Sequence, residues 1–285
     1  MIMTCQSQRT EFEMIEDLMS ERKDNISIVK DNYELYQIKL RALYEYVKFN
    51  KNKNFSRLRS EFTKIYNRLS RDNRIKLTKE YLIYTYFKMI NENKIEPIPL
   101  LRKLLQKKPV RTMSGVNSFA VLLSPEPTYT NSDGNKVIQK FTCEHNCYYC
   151  PDQTTANGAD VDIARSYLAD EPAVARGLAE GWDPIAQVRN RLDTLIIHGH
   201  PIDKLEYIIE GGTYTEFPPD YLEEFNRDLY YVANTYFDVL PRREKMILSE
   251  EMRINVTSKI KVIGICIETR PDALLDNNNK YGNKY

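Results

Sequence analysis

The sequence predicts an α/β fold built on a parallel sheet and preceded by an all-helical, basic N-terminal region. Residues 119–123, 205–209 and 261–267 are short apolar runs bounded by turn residues, as strands covered on both faces should be. Segments with helical periodicity and helical start signals lie between the later runs, and strands alternating with helices imply a parallel sheet. No proline occurs before Pro97, and apolar residues there recur every three or four positions. Charge divides the same way. Residues 1–109 carry 23 Lys/Arg against 14 Asp/Glu and residues 110–285 carry 18 against 26, so the overall charge of +1 conceals a basic first part suited to an anionic partner.

Residues 11–49 read as helical, with Tyr33, Tyr36, Leu40, Leu43 and Val47 on one stripe. Residues 48–79 hold 11 Lys/Arg against only Glu61 and Asp72. Phe55, Leu58, Phe62, Ile65 and Leu69 form a second stripe through this run. Its opposite face presents Arg57, Arg59, Lys64, Arg68 and Arg71, with Arg74 and Lys76 following. Such a face is either a solvated surface or a grip on RNA phosphates, which are held electrostatically and without sequence readout. Residues 79–93 form a third helix, with Tyr81, Leu82, Thr85 and Met89 along one side. Pro97 and Pro99 mark a boundary, and residues 100–107 make a short amphipathic helix.

After the first strand, residues 124–142 read as a loop, and so do residues 151–171. Pro172 and Pro184 open helices that follow acidic residues, and Gly199 ends the second of these. The strand at 205–209 runs into Gly211-Gly212-Thr213. Pro219 begins another helix, residues 244–258 a further one, and the third strand ends at Glu268-Thr269-Arg270. Cys266, within that strand, reads as a small buried hydrophobe. His198 and His200, flanking Gly199, read as caps on the last helical carbonyls.

The stretch that carries chemistry is Cys143-Glu144-His145-Asn146-Cys147-Tyr148-Tyr149-Cys150. Its C-x3-C-x2-C spacing supplies three thiolates, one fewer than a [4Fe-4S] ferredoxin cluster uses, so one iron keeps an open position. In radical S-adenosylmethionine enzymes that position takes the cofactor. The protein then contributes orientation and exclusion of water. Tyr149 stands where that superfamily places an aromatic against the adenine. A first strand feeding a cluster loop, with the site at strand C-terminal ends, matches its (β/α) barrel. The Gly211-Gly212 pair at a strand end permits close approach of a ligand to the backbone, and Glu268 and Arg270 end the next strand on the same side. A salt bridge between those two is the alternative reading. For the cysteines the alternatives are a zinc site with His145 and a disulfide, although no second C-x2-C or H-x3-H occurs and no leader points to an oxidising compartment.

KKPVRTMSGV, the cysteine cluster, DEPAVARGLAEGWDP, GHPIDKLEYIIEGGTYTEFPPDY and IGICIETRPD, in that order, resemble the catalytic subunit family of Elongator over about residues 95–275. The resemblance implies a radical S-adenosylmethionine enzyme, joined in the family to an acetyltransferase-like domain, that makes carboxymethyl-type modifications at wobble uridine of tRNA. It implies that Cys143, Cys147 and Cys150 hold a [4Fe-4S] cluster and that Gly211, Gly212 and Thr213 hold S-adenosylmethionine. It also implies that Lys204 contacts acetyl-coenzyme A as co-substrate and that the basic N-terminal helices bind tRNA. Two features depart from the family. The first cysteine spacing is shorter, with Cys143-Glu144-His145 in place of Cys-Pro-His. The chain also ends soon after its third strand, where the family continues with further strand–helix units and the acetyltransferase-like domain.

The expected layout is a helical tRNA-binding region at 1–96, a partial radical S-adenosylmethionine domain at 97–275 and a disordered tail at 276–285. Cys5, near the other terminus, reads as incidental. An open third strand calls for a second chain that completes the barrel, or for a homodimer. No apolar run approaches the ~18 residues that span a membrane, and free thiols beside an oxygen-sensitive cluster suit a reducing cytoplasm. The competing functions are an inactive tRNA-binding protein and a radical enzyme with another substrate.

Overall fold

The computed structural model describes residues 8–21, 23–71, 76–139, 143, 145, 147–153 and 162–275. Cys5, Arg74 and the expected tail at 276–285 lie outside these, as do Glu144 and Asn146 of the cysteine loop. Contacts divide the chain into two units. One comprises residues 1–115, 192–202 and 237–240; the other comprises residues 116–191, 203–236 and 241–285. Sequence punctuation at Pro97 suggested a single cut, whereas the contacts keep residues 97–115 with the helices and add two later segments.

The first unit begins with α1 (Glu11–Glu21), α2 (Lys23–Asp31), α3 (Tyr33–Phe49), α4 (Phe55–Ser70), α5 (Lys79–Asn91) and α6 (Pro99–Leu105). The run at 11–49 is therefore three helices and not one. Asn32, the cap of α3, leaves helical geometry, while its carbonyl accepts the first helical bond from Tyr36. Caps set the other starts. The Thr10 hydroxyl accepts from Glu13 N at 3.2 Å and Glu13 accepts from Thr10 N at 2.7 Å, a reciprocal capping box whose bond to the Thr10 backbone holds the Glu13 carboxyl below its ordinary range. Asn54 and Thr78 cap α4 and α5.

The stripes are buried in their central residues, whereas Phe55 at the start of α4 is 39% exposed and Tyr33, Ile65 and Leu69 are half-buried. Tyr36, Leu40, Leu43 and Val47 of α3, Leu58 and Phe62 of α4, and Tyr81, Leu82 and Met89 of α5 are buried together with Thr85. Two lysines bond helix ends beside them. Buried Lys39 donates to Leu69 O at 2.6 Å, and Lys79 donates to Leu104 O and Gln106 O at 3.0 Å each, so cations satisfy the last carbonyls of α4 and α6.

His198 and His200 do not cap their own helix. His198 Nε2 lies 3.1 Å from Glu80 Oε1. His200, 1% exposed, meets Thr112 Oγ1 and Lys107 O at 2.8 Å each and so ties down the turn at Pro109–Thr112. Non-local partners win because the helix ends are already bonded through Gly199 N and His200 N.

The second unit opens with β1 (Asn117–Leu122), β2 (Thr128–Thr130) and β3 (Lys136–Ile138). The segment expected as plain loop thus contains an antiparallel hairpin turning at Asn131–Asn135, where Asn131 Oδ1 accepts from Asp133 N and Asn135 N. Then follow α7 (Pro172–Ala179), α8 (Pro184–Ile197), whose residues from Leu192 on belong to the first unit, β4 (Lys204–Glu210), α9 (Pro219–Thr235), α10 (Leu248–Asn255), β5 (Lys261–Ile267) and α11 (Pro271–Leu275). β1, β4 and β5 form a parallel sheet in the order β1-β4-β5.

The two edges of this sheet differ. Beside β1, buried Gln187 uses its amide to bond both Leu122 N and Leu122 O at 3.0 Å, and Arg176 donates to Ala120 O at 2.6 Å. Side chains thus stand in for a further strand. No strand among the described residues pairs with the outer edge of β5. Its register slips by one residue opposite Leu205 and Glu206, leaving Ile263 as the extra residue, 53% exposed. Cys266 is exposed too, contrary to the expectation of burial, because the strand is at the edge and only half covered.

Candidate functional site

The strand ends set the site. β4 finishes at Glu210, and Gly211 and Gly212 follow with φ of 127° and 111°, backbone that side-chain-bearing residues rarely adopt. A Cβ on Gly211 would stand 3.0 Å from Leu123 Cβ and 3.1 Å from Leu123 N, so the turn has no room for one. It delivers Gly212 and Thr213 to the wall of a cavity of about 190 Å³. β5 ends next to it, contributing Glu268, Thr269 and Arg270, with Glu268 O accepting from Tyr214 N at 3.0 Å. Cys143, Cys147 and Cys150 line the same cavity, with Tyr149 beside them. Cysteines and strand-end residues 62 to 127 positions apart in sequence therefore meet at one end of a parallel sheet, where ligands of α/β folds characteristically bind.

The polar contacts describe how the wall is held. Cys143 Sγ is 3.8 Å from Thr213 Oγ1. A hydrogen bond to Cys147, and then the charges of Cys147 and Cys150, raise the Tyr149 phenol above its ordinary value. Glu268 accepts a hydrogen bond from Tyr167, whose phenol is pushed up first by burial and then by that carboxylate. Arg270 forks onto Asp272 at 3.0 and 2.7 Å while Glu268 accepts from Tyr167, so the salt bridge weighed for Glu268 and Arg270 is replaced by separate contacts. That fork raises Arg270 and lowers Asp272. Glu210, half-buried at the end of β4, is raised by burial and by the neighbouring charge of Glu268.

The donor set at this cavity is three thiols, with His145 beside them. Among the described residues no group of three His, Cys, Asp or Glu side chains is arranged to hold a metal ion. A cubane needs one thiolate on each of several irons, which suits three cysteines spread around a cavity. Two guanidinium nitrogens in that wall, Arg165 Nε and Arg270 Nη1, are buried with no hydrogen-bond partner among the described residues. Unpaired buried donors are costly, and an anionic group in the cavity would relieve both. His145, the zinc alternative's fourth ligand, lies 3.9 Å from Glu216 Oε1.

Sequence reasoning missed Arg165 and Tyr167, because the segment before α7 has no regular structure to place it. Lys204 is not brought to this cavity. It begins β4 at the opposite end from Gly211, roughly 20 Å away for a seven-residue strand, and is paired with Asp203 at 3.6 Å. Arg57, Arg59, Lys64, Arg68, Arg71 and Lys76 belong to the first unit and are all exposed. Arg57 is engaged with Glu61, which also accepts from Lys53 at 2.7 Å and from Tyr46; these bonds, Lys53 first, bring its carboxyl down to about 2. No helix among the described residues is long and apolar enough to cross a membrane.

No family model matches the chain. It is 37% identical over 177 residues to the tRNA uridine(34) acetyltransferase of Methanocaldococcus infernus, covering 61% of this chain and 28% of that protein. It is 34% identical over 180 residues to Elongator complex protein 3 of Drosophila melanogaster, covering 62% and 29%. With that of Schizosaccharomyces pombe it shares 36% over 181 residues, again 62% and 29%. The solved structure of the archaeal Methanocaldococcus infernus Elp3 with an N-terminal deletion aligns with a TM-score of 0.35 at 26% identity, over 57% of this chain and 24% of that one. Over about three fifths of its length this chain is a homologue of the proteins named Elongator complex protein 3 and tRNA uridine(34) acetyltransferase, and it spans under a third of theirs.

Proposed function

We propose that this chain is the cluster-bearing portion of an enzyme that modifies uridine 34 of tRNA. The observation that carries the proposal is the meeting of Cys143, Cys147 and Cys150 with the strand-end residues Gly212, Thr213, Glu268 and Arg270 around one cavity. The relatives' names supply the substrate: tRNA, at uridine 34. In this reading the three cysteines hold a [4Fe-4S] cluster, and S-adenosylmethionine, bound against it, supplies the radical chemistry. The strand-end glycines let the cofactor approach the backbone, and Thr213 offers a hydroxyl beside Cys143. Tyr149 provides an aromatic face beside the thiolates. Arg270, with an unpartnered nitrogen, binds a carboxylate, and Glu268, fixed by Tyr167, accepts from an ammonium group. Lys204, at the far strand end, is the contact for acetyl-coenzyme A as co-substrate, apart from the cluster cavity.

The basic face of α4 holds the tRNA backbone without reading sequence. The sheet β1-β4-β5 forms part of a (β/α) barrel, and the open edge of β5 is where a further strand docks, from another chain or from a second copy. A reducing cytoplasm is the setting that keeps the thiols and the cluster intact. The test is anaerobic reconstitution with iron and sulfide. About four irons per chain with broad visible absorbance, and a change in the reduced cluster's electron paramagnetic resonance on adding S-adenosylmethionine, are expected. Tight zinc binding in place of iron would overturn the reading.

A further inference from the structure

We propose that Arg165 is the positioning residue of the cysteine loop, clasping its two sides and supplying the positive charge against which the cluster is held; this rests on the cluster reading above. Its guanidinium donates from Nη1 to His145 O at 2.7 Å and from Nη2 to Asp152 Oδ2 at 2.9 Å. Cys147 and Cys150 lie between those two anchor points, and Cys143 is two residues before the first. One planar fork therefore fixes the span of a loop that contains no helix or strand among its described residues.

The arginine is itself rigidly mounted. Ile163, Ala164 and Tyr167 on either side of it are buried in an apolar cluster with Leu122 and Val174. Ile163 N donates to Gln153 O and Ser166 N to Pro151 O, both at 3.0 Å, which stitches the arginine's own segment to the exit of the cysteine loop. Ser166 is held at φ 86°, a conformation that a serine keeps only where its surroundings over-determine it. The side chain is 18% exposed, so its charge is poorly screened, and Nε remains buried without a partner among the described residues at the cavity wall.

Two consequences separate the clasp from ordinary packing. Holding the loop should slow the escape of iron, since residues that orient cluster ligands are typically worth 10–100-fold in metal affinity. A cation beside a cluster that becomes more negative on reduction should raise its reduction potential, because net charge and hydrogen bonding set that potential.

The experiment compares full-length wild type, Arg165→Gln, Arg165→Lys and Asp152→Asn after anaerobic reconstitution. It measures iron loss to a chelator, the midpoint potential by electron paramagnetic resonance, and hydrogen exchange of residues 143–153 in the iron-free protein. Arg165→Gln should lose iron roughly 10–100-fold faster, with a more negative midpoint and faster exchange across the loop. Arg165→Lys and Asp152→Asn keep the cation and should speed iron loss with little change in midpoint; they carry the test if Arg165→Gln does not fold. Wild-type iron retention and midpoint in Arg165→Gln would overturn the proposal. If wild type itself takes up no cluster, the functional reading fails, and unchanged exchange in the iron-free variants would overturn the clasp separately.

Discussion

The two units use charge in opposite directions. In the first, cations face outward: Arg57, Arg59, Lys64, Arg68 and Arg71 are exposed along α4 while Leu58 and Phe62 are buried behind them. In the second, charge turns inward: Arg165, Arg270 and Glu268 border a cavity with three thiols, and apolar Ile263 and Ile267 are left exposed on β5. A closed helical core can spend its surface on a long-range attraction for a polyanion. An α/β unit with a site at its strand ends must instead organise a few residues drawn from distant parts of the chain.

Replacing any of Cys143, Cys147 or Cys150 by Ala should therefore have the largest effect, abolishing cluster binding as measured by iron content and visible absorbance. Retention of a full cluster in two of the three single variants would mean that the loop is not the ligand set. Next in size is the charge reversal of Arg57, Arg59, Lys64, Arg68 and Arg71 to Glu. Removing several phosphate contacts should lower tRNA affinity by about two orders of magnitude or more at moderate salt and flatten its salt dependence. Unchanged binding would make that face a solvated surface. Lys39 is the control within the same unit. It is buried against Leu69 O, so Lys39→Met should destabilise by about 1–3 kcal/mol in denaturant unfolding and leave tRNA affinity alone.

How much of this was legible follows from the same contrast. The stripes on α3, α4 and α5 are local, with a period that follows from helix geometry, and they announced both the buried residues and the exposed arginines. The three strands were legible as apolar runs, and Gly211-Gly212 as a special turn. The missing pieces are non-local or depend on a small irregularity. Nothing in the neighbours of Gln187 says that it will satisfy Leu122 at the sheet edge. A one-residue bulge at Ile263 is invisible to an apolar run, and Cys266 is exposed at the edge strand that follows it. The hairpin at Thr128–Ile138, read as loop, is the exception: its signal is local, a turn at Asn131-Ser132-Asp133-Gly134, but each flanking strand is only three residues long, too short to show alternation. Arg165 could be singled out only once its chain neighbours were seen buried around it.

A buried ion pair in the second unit offers a smaller and pH-dependent effect. Glu251 is fully buried. Burial alone would raise its carboxyl, but the fork from Arg243 at 2.6 Å, with Met246 N and Asn234, outweighs that and lowers it. A depressed carboxylate contributes stability that is present above its unfolded value of about 4.3 and is lost as pH falls through the folded one. Glu251→Ala should cost about 3–5 kcal/mol at neutral pH, since it removes the buried carboxylate that both terminal nitrogens of Arg243 bond, and the difference from wild type should shrink on acidification. Equal unfolding midpoints at pH 7 would show that the Arg243–Glu251 pair contributes nothing to stability.

The smallest expected effect on folding is at the exposed edge of β5. Ile263 is the extra residue of the bulge and half exposed, so Ile263→Lys removes little buried area and should change stability by no more than about 0.5 kcal/mol. Its effect on association should be larger. An edge strand with unpaired backbone and apolar side chains is a template for pairing, and an edge lysine is a common way to prevent it. If another strand docks on β5, sedimentation of the wild-type chain should show concentration-dependent association that Ile263→Lys weakens, whereas Ile138→Lys on the hairpin, also exposed, should not. Equal association in both variants would place the contact elsewhere and leave β5 as an edge blunted by its own bulge.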